Sequence, residues 1–445
     1  MLFHIKLVKI FDTTLRLQGY DLRPADQDLL ALDALNHADY TAVIERQKQT
    51  ILDYHLAHTS FYKKWVGDTV PKRWEDLPVL TKGDLQRPLQ ERLSQGYTSK
   101  NCYVGKTSGS SGTPFIFAKD KACHARDWAA FAKAYAAQNI DINKDLQARF
   151  YGIPLDTKGY YTERLKDKLL NRYRFPIFNM NDAKMEAILN HFRRKPFAYI
   201  NGYTSSIALF ARYLAAKNIV LTSVCPTLTT CMVTSEMLFP EDKAVMEKCF
   251  GVPVLNEYGA SELGLIAFSN TEGEMVLNTH NLYVECLDEN NQPVPHGNEG
   301  KLVITALHNK AHPMIRFEIG DVGVISQSST DNRKILKKLI GRTSDIATLP
   351  DGKVVPGLTF YYVTKRVIAN DSTIKEFVIT QTASDTFVID YVSTQALSKK
   401  QEQDVITDIN TYVATGLQVV FNKKDHITRQ KSGKLKQFTS LVSRL

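Results

Sequence analysis

The sequence predicts an α/β protein: a large N-terminal domain of parallel-type sheet with helices, a β-rich subdomain, and a small mobile α+β domain at the C-terminus. The chain has 445 residues, more than one simple core accommodates. Between residues 118 and 234 short apolar runs alternate with helical periodicity, the pattern of parallel strands joined by crossover helices. Composition then changes after Gly341-Arg342, where a strand pair, a helix and a further strand make a unit of small-domain size.

The elements follow in order. Residues 25–65 carry apolar side chains at helical spacing (Leu29, Leu32, Leu35, Tyr40, Ile44, Ile51, then Tyr54 or His55), so residues 1–100 read as a helical N-terminal region. Pro71, Pro78 and the Leu80-Thr81-Lys82 turn end it, with Thr81 placed to cap a short helix from Lys82. Strands at 102–104 and 115–117 flank a Gly/Ser loop at 105–114, and an Ala-rich helix spans 118–138. Buried strands at 148–153, 197–200 and 231–234 are separated by helices such as 182–194 and 205–217. Residues 278–287 and 300–307 read as the β-rich subdomain, with turns at Asn290-Asn291 and Gly297. Strands at 376–380 and 386–392, a helix at 398–413 and a strand at 417–421 complete the chain. With the boundary at 342–345, the expected domains are residues 1–341 and 342–445.

With 43% hydrophobic and 23% charged residues, the composition is that of an ordinary globular protein. Lys and Arg number 56 and Asp and Glu 47, a net charge of +9. The excess is spread along the chain apart from Lys334, Lys337, Lys338, Arg342 and residues 423–436, and no aromatic-and-basic recognition motif accompanies it. That favours a basic enzyme handling anions over a nucleic-acid binder. Six cysteines in so long a chain form no disulfide framework, which predicts a reducing, cytoplasmic location. His4, Lys6, Lys9 and Asp12 interrupt the apolar N-terminus, so it reads as an amphipathic segment rather than a signal peptide or membrane span. The sequence leaves the oligomeric state open, a homodimer included.

Gly105-Lys106-Thr107 spells the end of a Walker A loop, but that loop requires Gly at position 100, which is Lys100. What remains is Thr107 to Pro114, dense in hydroxyls, with glycines that permit close backbone approach to a phosphate. By composition it reads equally as a phosphate cradle or a flexible linker, and its place between two strands argues against the linker.

Thr107-Ser108-Gly109-Ser110-Ser111-Gly112-Thr113-Pro114 resembles the phosphate loop of the adenylate-forming superfamily, the acyl-CoA synthetases and their relatives, and four further motifs follow in that family's order. Asn256-Glu257-Tyr258-Gly259-Ala260-Ser261-Glu262 resembles the Y-G-x-[ST]-E motif. The resemblance implies that Glu257, Tyr258 and Gly259 line the nucleotide site, with Tyr258 against adenine, Ser261 at the phosphates and Glu262 ligating Mg²⁺. Residues 315–323 are similar to the motif in which an Asp, here Asp321, accepts from both ribose hydroxyls; an ionised carboxylate is acceptor-only and suits that role. Residues 339–345 resemble G-R-x-x-D, implying that Arg342 binds ribose or phosphate and that Asp345 is the hinge. Residues 429–435 resemble the C-terminal S-G-K motif, whose last Lys, here Lys434, stabilises the charge developing between carboxylate and α-phosphate. Taken singly, these stretches would read as a tight turn, a turn acid and a solvated basic tail.

Phe61-Tyr62 and residues 77–82 resemble the phenylacetate-CoA ligase branch, and within it proteins of capsular-polysaccharide biosynthesis. The resemblance implies ATP, Mg²⁺ and CoA as cofactors and two half-reactions, formation of an acyl-adenylate and then transfer of the acyl group to CoA. The alternative acceptor is an amine or a carrier protein, and a different class is a non-catalytic nucleotide-binding scaffold. Many members carry Lys just after the loop proline where this chain has Phe115, leaving Lys106, Lys119 or the backbone to replace it. By position, Tyr199, Tyr203, Ser235 and Glu236 would line the acyl pocket, although both tyrosines read equally as packed core aromatics. Cys225, Cys231 and Cys249 with His280 or Cys286 invite a zinc reading, against which stand the absence of C-x-x-C spacing and the commonness of buried free Cys. Cys123 beside His124 could pair as a thiol catalyst, but a helical pattern accounts for both.

Overall fold

The structure, a computed structural model, describes residues 10–107, 115–153, 157–177, 180–342, 346–357, 359–360, 363–364, 374–429 and 434–442. The described chain opens with α1 (Ile10–Leu17), α2 (Arg23–Asp33), α3 (His37–His58) and α4 (Ser60–Val66). The helical periodicity of this region is broken at Asn36, whose side chain caps α3 by accepting from the Asp39 N–H at 3.0 Å, and again at Thr59. Thr81 caps no helix. Its hydroxyl donates to the Asp84 carboxylate at 2.6 Å while the Asp84 N–H donates back at 3.3 Å, and residues 82–85 close into a turn.

After α5 (Leu89–Arg92), strands β1 (Tyr103–Lys106) and β2 (Ile116–Lys119) form an antiparallel hairpin around the Gly/Ser loop. Ala118 and Lys119 therefore belong to a strand, and the Ala-rich helix is shorter than expected. This helix, α6 (Lys121–Ala136), starts at Asp120, whose side chain accepts from the Cys123 N–H.

The main sheet then builds by alternation: β3 (Leu146–Tyr151), α7 (Thr157–Leu169), β4 (Arg172–Pro176), α8 (Asp182–Arg194), β5 (Phe197–Tyr203), α9 (Thr204–Ala216), α10 (Leu221–Val224), β6 (Thr230–Thr234), α11 (Pro240–Phe250) and β7 (Val254–Ala260). These five strands are parallel, in the order β4-β3-β5-β6-β7, and β6 is buried along its whole length, as a strand covered on both faces must be. β8 (Gly264–Ser269), β9 (Met275–Leu277), β10 (Leu282–Leu287), β11 (Glu299–Ala306), β12 (Phe317–Ile325) and β13 (Ile335–Arg342) continue the same sheet antiparallel, to 11 strands. The β-rich part is thus no separate layer. β7 is the seam, parallel to β6 on one side and antiparallel to β8 on the other.

A short hairpin of β14 (Ile346–Thr348) and β15 (Val354–Pro356) precedes a four-stranded sheet of β16 (Ile374–Ala383), β17 (Thr386–Ser393), β18 (Gln418–Lys424) and β19 (Phe438–Ser440), ordered β18-β17-β16-β19. Its helix α12 (Lys399–Tyr412) begins with a capping box between Ser398 and Gln401. The sequence reading missed β19, a three-residue strand held by parallel pairing of Phe438 with Ile379. A side chain at Gly357 would run into the Phe438 ring, so the glycine is what admits this anchor. No helix among the described residues is long and apolar enough to cross a membrane.

Candidate active site

Several of the expected site residues, Tyr203, Ser235, Glu236 and the 257–262 stretch, lie at the carboxyl ends of β5, β6 and β7, neighbouring parallel strands, where open α/β sheets bind ligands. Tyr203 ends β5 and pairs with Thr234 at the end of β6, which pairs in turn with Glu257 on β7. The N-E-Y-G stretch is strand, not the turn that its sequence suggests, because β7 must pair on both sides. Alternation along that strand separates two residues expected together. Tyr258 is half-buried, and its hydroxyl donates to Asp321 of β12 at 2.6 Å. Glu257 is buried and accepts from the Tyr135 hydroxyl at 2.8 Å, burial raising its carboxyl above the ordinary value; it belongs to an interior network rather than to the Tyr258 patch. Asp321 in turn faces Arg342 in the β12–β13 register, so three motifs distant in sequence meet. The Arg342 side chain, Asp345 and residues 108–114, which include Ser108, Gly109, Ser110, Ser111, Gly112 and Thr113, lie outside the described residues.

The turn between β7 and β8 carries exposed Ser261 and then Glu262, whose side chain is 3% exposed. Gly264 follows at φ 78°, and a side chain there would meet the Asp127 carboxyl at 2.7 Å, so the turn packs directly on α6. The ammonium of Lys82 lies 3.5 Å from Glu262 Oε1. A buried carboxylate with a partly exposed cation beside it fits a Mg²⁺–nucleotide site, where phosphates and water supply the other ligands. Among the described residues no three His, Cys, Asp or Glu side chains gather as a metal cluster.

The loop base is closed by Thr107 N–H donating to Phe115 O at 2.9 Å and Phe115 N–H donating to Thr107 Oγ1 at 3.1 Å. Phe115 itself is a core residue, 2% exposed and stacked on Phe317 with ring centroids 6.0 Å apart. Of the two lysines considered as replacements for a loop cation, Lys119 is excluded: it is buried in a 2.5 Å ion pair with Asp127. Lys106 is exposed on β1. The cation that stands beside Glu262 is instead Lys82, carried on the Leu-Thr-Lys turn. The turn is set by a bridge to β12, with Leu80 N–H donating to Arg316 O at 2.9 Å and Glu318 N–H to Leu80 O at 2.8 Å. Fully buried Arg316 pairs with Glu285 of β10 at 3.2 Å and donates to the carbonyls of Glu75 and Leu77, which ties the N-terminal region to the main sheet.

On the acyl side the two tyrosines part. Tyr199 packs with Tyr135, Met232 and Phe268 in the interior, its hydroxyl accepting from Gln147 at 3.1 Å and pushed up to about 12 by burial; it is core. Tyr203 rests on Tyr151, and the ammonium of Lys434 lies 5.9 Å from its ring. Ser235 is exposed at φ 69°, unusual for a residue with a side chain. Glu236 is no open pocket wall: Oε2 accepts from Ser205 N–H at 2.7 Å and Oε1 from Leu435 N–H at 2.6 Å. The zinc candidates are dispersed: Cys225, Cys231 and Cys249 sit in one apolar cluster, Cys286 in another, and His280 beside Asp33. Cys123 is buried and His124 stacks on Tyr103 at 4.0 Å, so both are structural.

This arrangement has the fold of the adenylate-forming CoA ligases. A 2-hydroxyisobutyryl-CoA ligase in its postadenylation state with R3-HIB-AMP is similar over 92% of this chain and 91% of its own, with TM-score 0.71 and 17% identity. The same enzyme in its thioesterification state with 2-HIB-AMP and CoA gives a TM-score of 0.53 over 91% and 90%. By sequence the chain is similar to Protein CapK of Staphylococcus aureus, 24% identical over 311 residues, 68% of this chain and 66% of CapK. It is also similar to the phenylacetate-coenzyme A ligase of Aromatoleum evansii, 28% identical over 120 residues, 26% and 27% of the two chains. The matched stretches thus span 66% and 27% of those relatives. No protein-family model matches the sequence. Both sets of likenesses agree with the superfamily and the branch that the motifs resemble.

Proposed function

We propose that the protein is an ATP-dependent carboxylic acid–CoA ligase of the phenylacetate-CoA ligase type. The observation that carries this reading is the meeting of Lys434, from the segment that leads into β19, with Tyr203 at the end of the parallel strand β5. That is where a carboxylate and an α-phosphate would react if adenosine occupies the Tyr258–Asp321 patch.

In the first half-reaction a carboxylate oxygen attacks the α-phosphorus of ATP and the bond to the bridging oxygen breaks, giving acyl-adenylate and pyrophosphate. The Lys434 ammonium offsets charge gathering on the carboxylate and the α-phosphate oxygens. Asp321 accepts from ribose hydroxyls in place of the Tyr258 hydroxyl. Mg²⁺, held by Glu262, would neutralise phosphate charge, and Lys82, released from Glu262, faces the same phosphates. In the second half-reaction the CoA sulfur attacks the acyl carbon, the thiol proton leaves, and AMP departs with the bonding pair.

The test is acid-dependent exchange of labelled pyrophosphate into ATP over a panel of acids, followed by product analysis with CoA and with amines. Exchange plus thioester supports the reading. Exchange with amide product only would move the acceptor to an amine, and ATP binding without exchange for any acid would leave a nucleotide-binding scaffold.

A further inference from the structure

Lys434 lies between Arg429 and Leu435, ahead of β19, whose sheet shares no strand with the main one, and it needs a fixed position to act. Both flanks of this stretch are tied to the main body. On one side the Arg429 guanidinium donates to Ser205 Oγ at 2.8 Å and to Glu376 of β16 at 2.7 Å. On the other, the Leu435 N–H, one residue beyond the lysine, donates to Glu236 Oε1 at 2.6 Å. The second oxygen of Glu236 is committed to the Ser205 N–H at the start of α9, a helix whose N-cap residue, Tyr203, supplies no side-chain cap. Glu236 thus caps α9 from outside and is held there by two donors and by the favourable end of the helix. The chain after Glu236 adds an apolar anchor. Phe239, 1% exposed, is buried in the C-terminal cluster with Phe377, Leu349 and Val355, and Met237 packs against it.

We propose that Glu236 is the positioning residue of Lys434: one carboxylate oxygen is fixed to the main body, and the other clasps the backbone beside the lysine in the arrangement that forms the adenylate. The clasp rests on the reading of Lys434 as an adenylation residue. It joins two sheets that share no strand, so it has to open if the C-terminal part turns about the Asp345 hinge between the half-reactions, the motion that the family resemblance implies. Glu236 therefore serves the first half-reaction and is idle in the second.

The experiment compares wild type, Glu236→Ala and Glu236→Gln by hydrogen exchange and by separate half-reaction assays. The acid is whichever of the panel the wild type exchanges fastest, and the second half-reaction starts from the synthetic adenylate of that acid. In Glu236→Ala the peptide containing the Leu435 amide should exchange about tenfold faster while β5 and β6 keep their protection. Pyrophosphate exchange should fall about ten- to hundredfold with KM for ATP unchanged, and CoA-dependent turnover of the adenylate should stay within about twofold of wild type. Glu236→Gln, which retains one acceptor oxygen, should lie between. Unchanged protection at Leu435, or equal losses in both half-reactions, would overturn the proposal. If the wild type exchanges with no acid, the ligase reading fails by itself, and Leu435 protection still decides whether the clasp exists.

Discussion

The two halves of the candidate site are held together in different ways. On the nucleotide side, Tyr258, Asp321 and the backbone of Arg342 stand on β7, β12 and β13 of one continuous sheet, and Glu262 sits in the turn between two of its strands. On the lysine side, Lys434 meets Tyr203 through side chain–backbone bridges and one buried phenylalanine between two sheets that share no strand. Under the proposed function, groups that hold the nucleotide moiety would act in both half-reactions and gain from permanence. A group that acts in one half-reaction can be carried by contacts that form and open at the cost of a few hydrogen bonds.

The largest expected effect breaks the lysine side alone. Lys434→Ala should lower pyrophosphate exchange by about 10²- to 10³-fold, the scale of losing one preorganised charge at a transition state, while calorimetric AMP affinity stays within about twofold. Equal loss of AMP affinity would show that the lysine is part of the nucleotide site. Next in size is Asp321→Ala, which removes the acceptor now shared with the Tyr258 hydroxyl. AMP and ATP affinity should both fall about ten- to hundredfold, and both half-reactions with them. A variant that slowed adenylation only would erase the contrast between the halves. Smaller again is Lys82→Ala, which tests whether the cation beside Glu262 stands in for the one that Phe115 displaces from the loop. ATP affinity should drop about five- to tenfold with AMP affinity unchanged, since AMP lacks the phosphates that the ammonium would face; equal loss for both ligands would count against it.

The nucleotide-side residues that the structure brings together, Tyr258 and Asp321, sit in short stretches whose residue types suit their chemistry, an aromatic before a glycine and an acid near a turn; the hydroxyl-rich loop lies from residue 108 on outside the described residues. The alternation of strands and helices was equally local, and Asn36, Asp120 and Ser398 cap the helices that follow them. What escaped depends on partners far apart in the chain. Glu236 and Leu435 lie 199 residues apart, and Arg316 reaches Leu77 across 239; no periodicity relates such pairs. Tyr199 lies four residues before Tyr203 on the same strand and packs in the interior with Met232 and Phe268, away from the strand end, while Glu257 was assigned with Tyr258 although pleating turns consecutive strand residues to opposite faces. β19 is too short to show a period and exists only through its pairing with β16.

The smallest predicted effect sharpens that last distinction at Glu257. Burial raises its carboxyl above the ordinary 4.5, an effect that hydrogen bonds from Tyr135 and Thr234 offset in part. A raised value in the folded state means that folding favours the protonated form. The favourable contribution is complete below the unfolded value and is lost as pH climbs through the folded one, so the ionisable Glu257 costs the fold stability on the alkaline side. Glu257→Gln keeps an acceptor for Tyr135 and removes the charge. It should raise Tm by about 1–3 °C at pH 8, with the gain vanishing near pH 4. Its AMP affinity should match wild type, because Tyr258, the next residue, holds the opposite face of β7. A Gln variant that lost AMP affinity without gaining stability would return Glu257 to the nucleotide site, and β7 would then have to present both faces to the ligand.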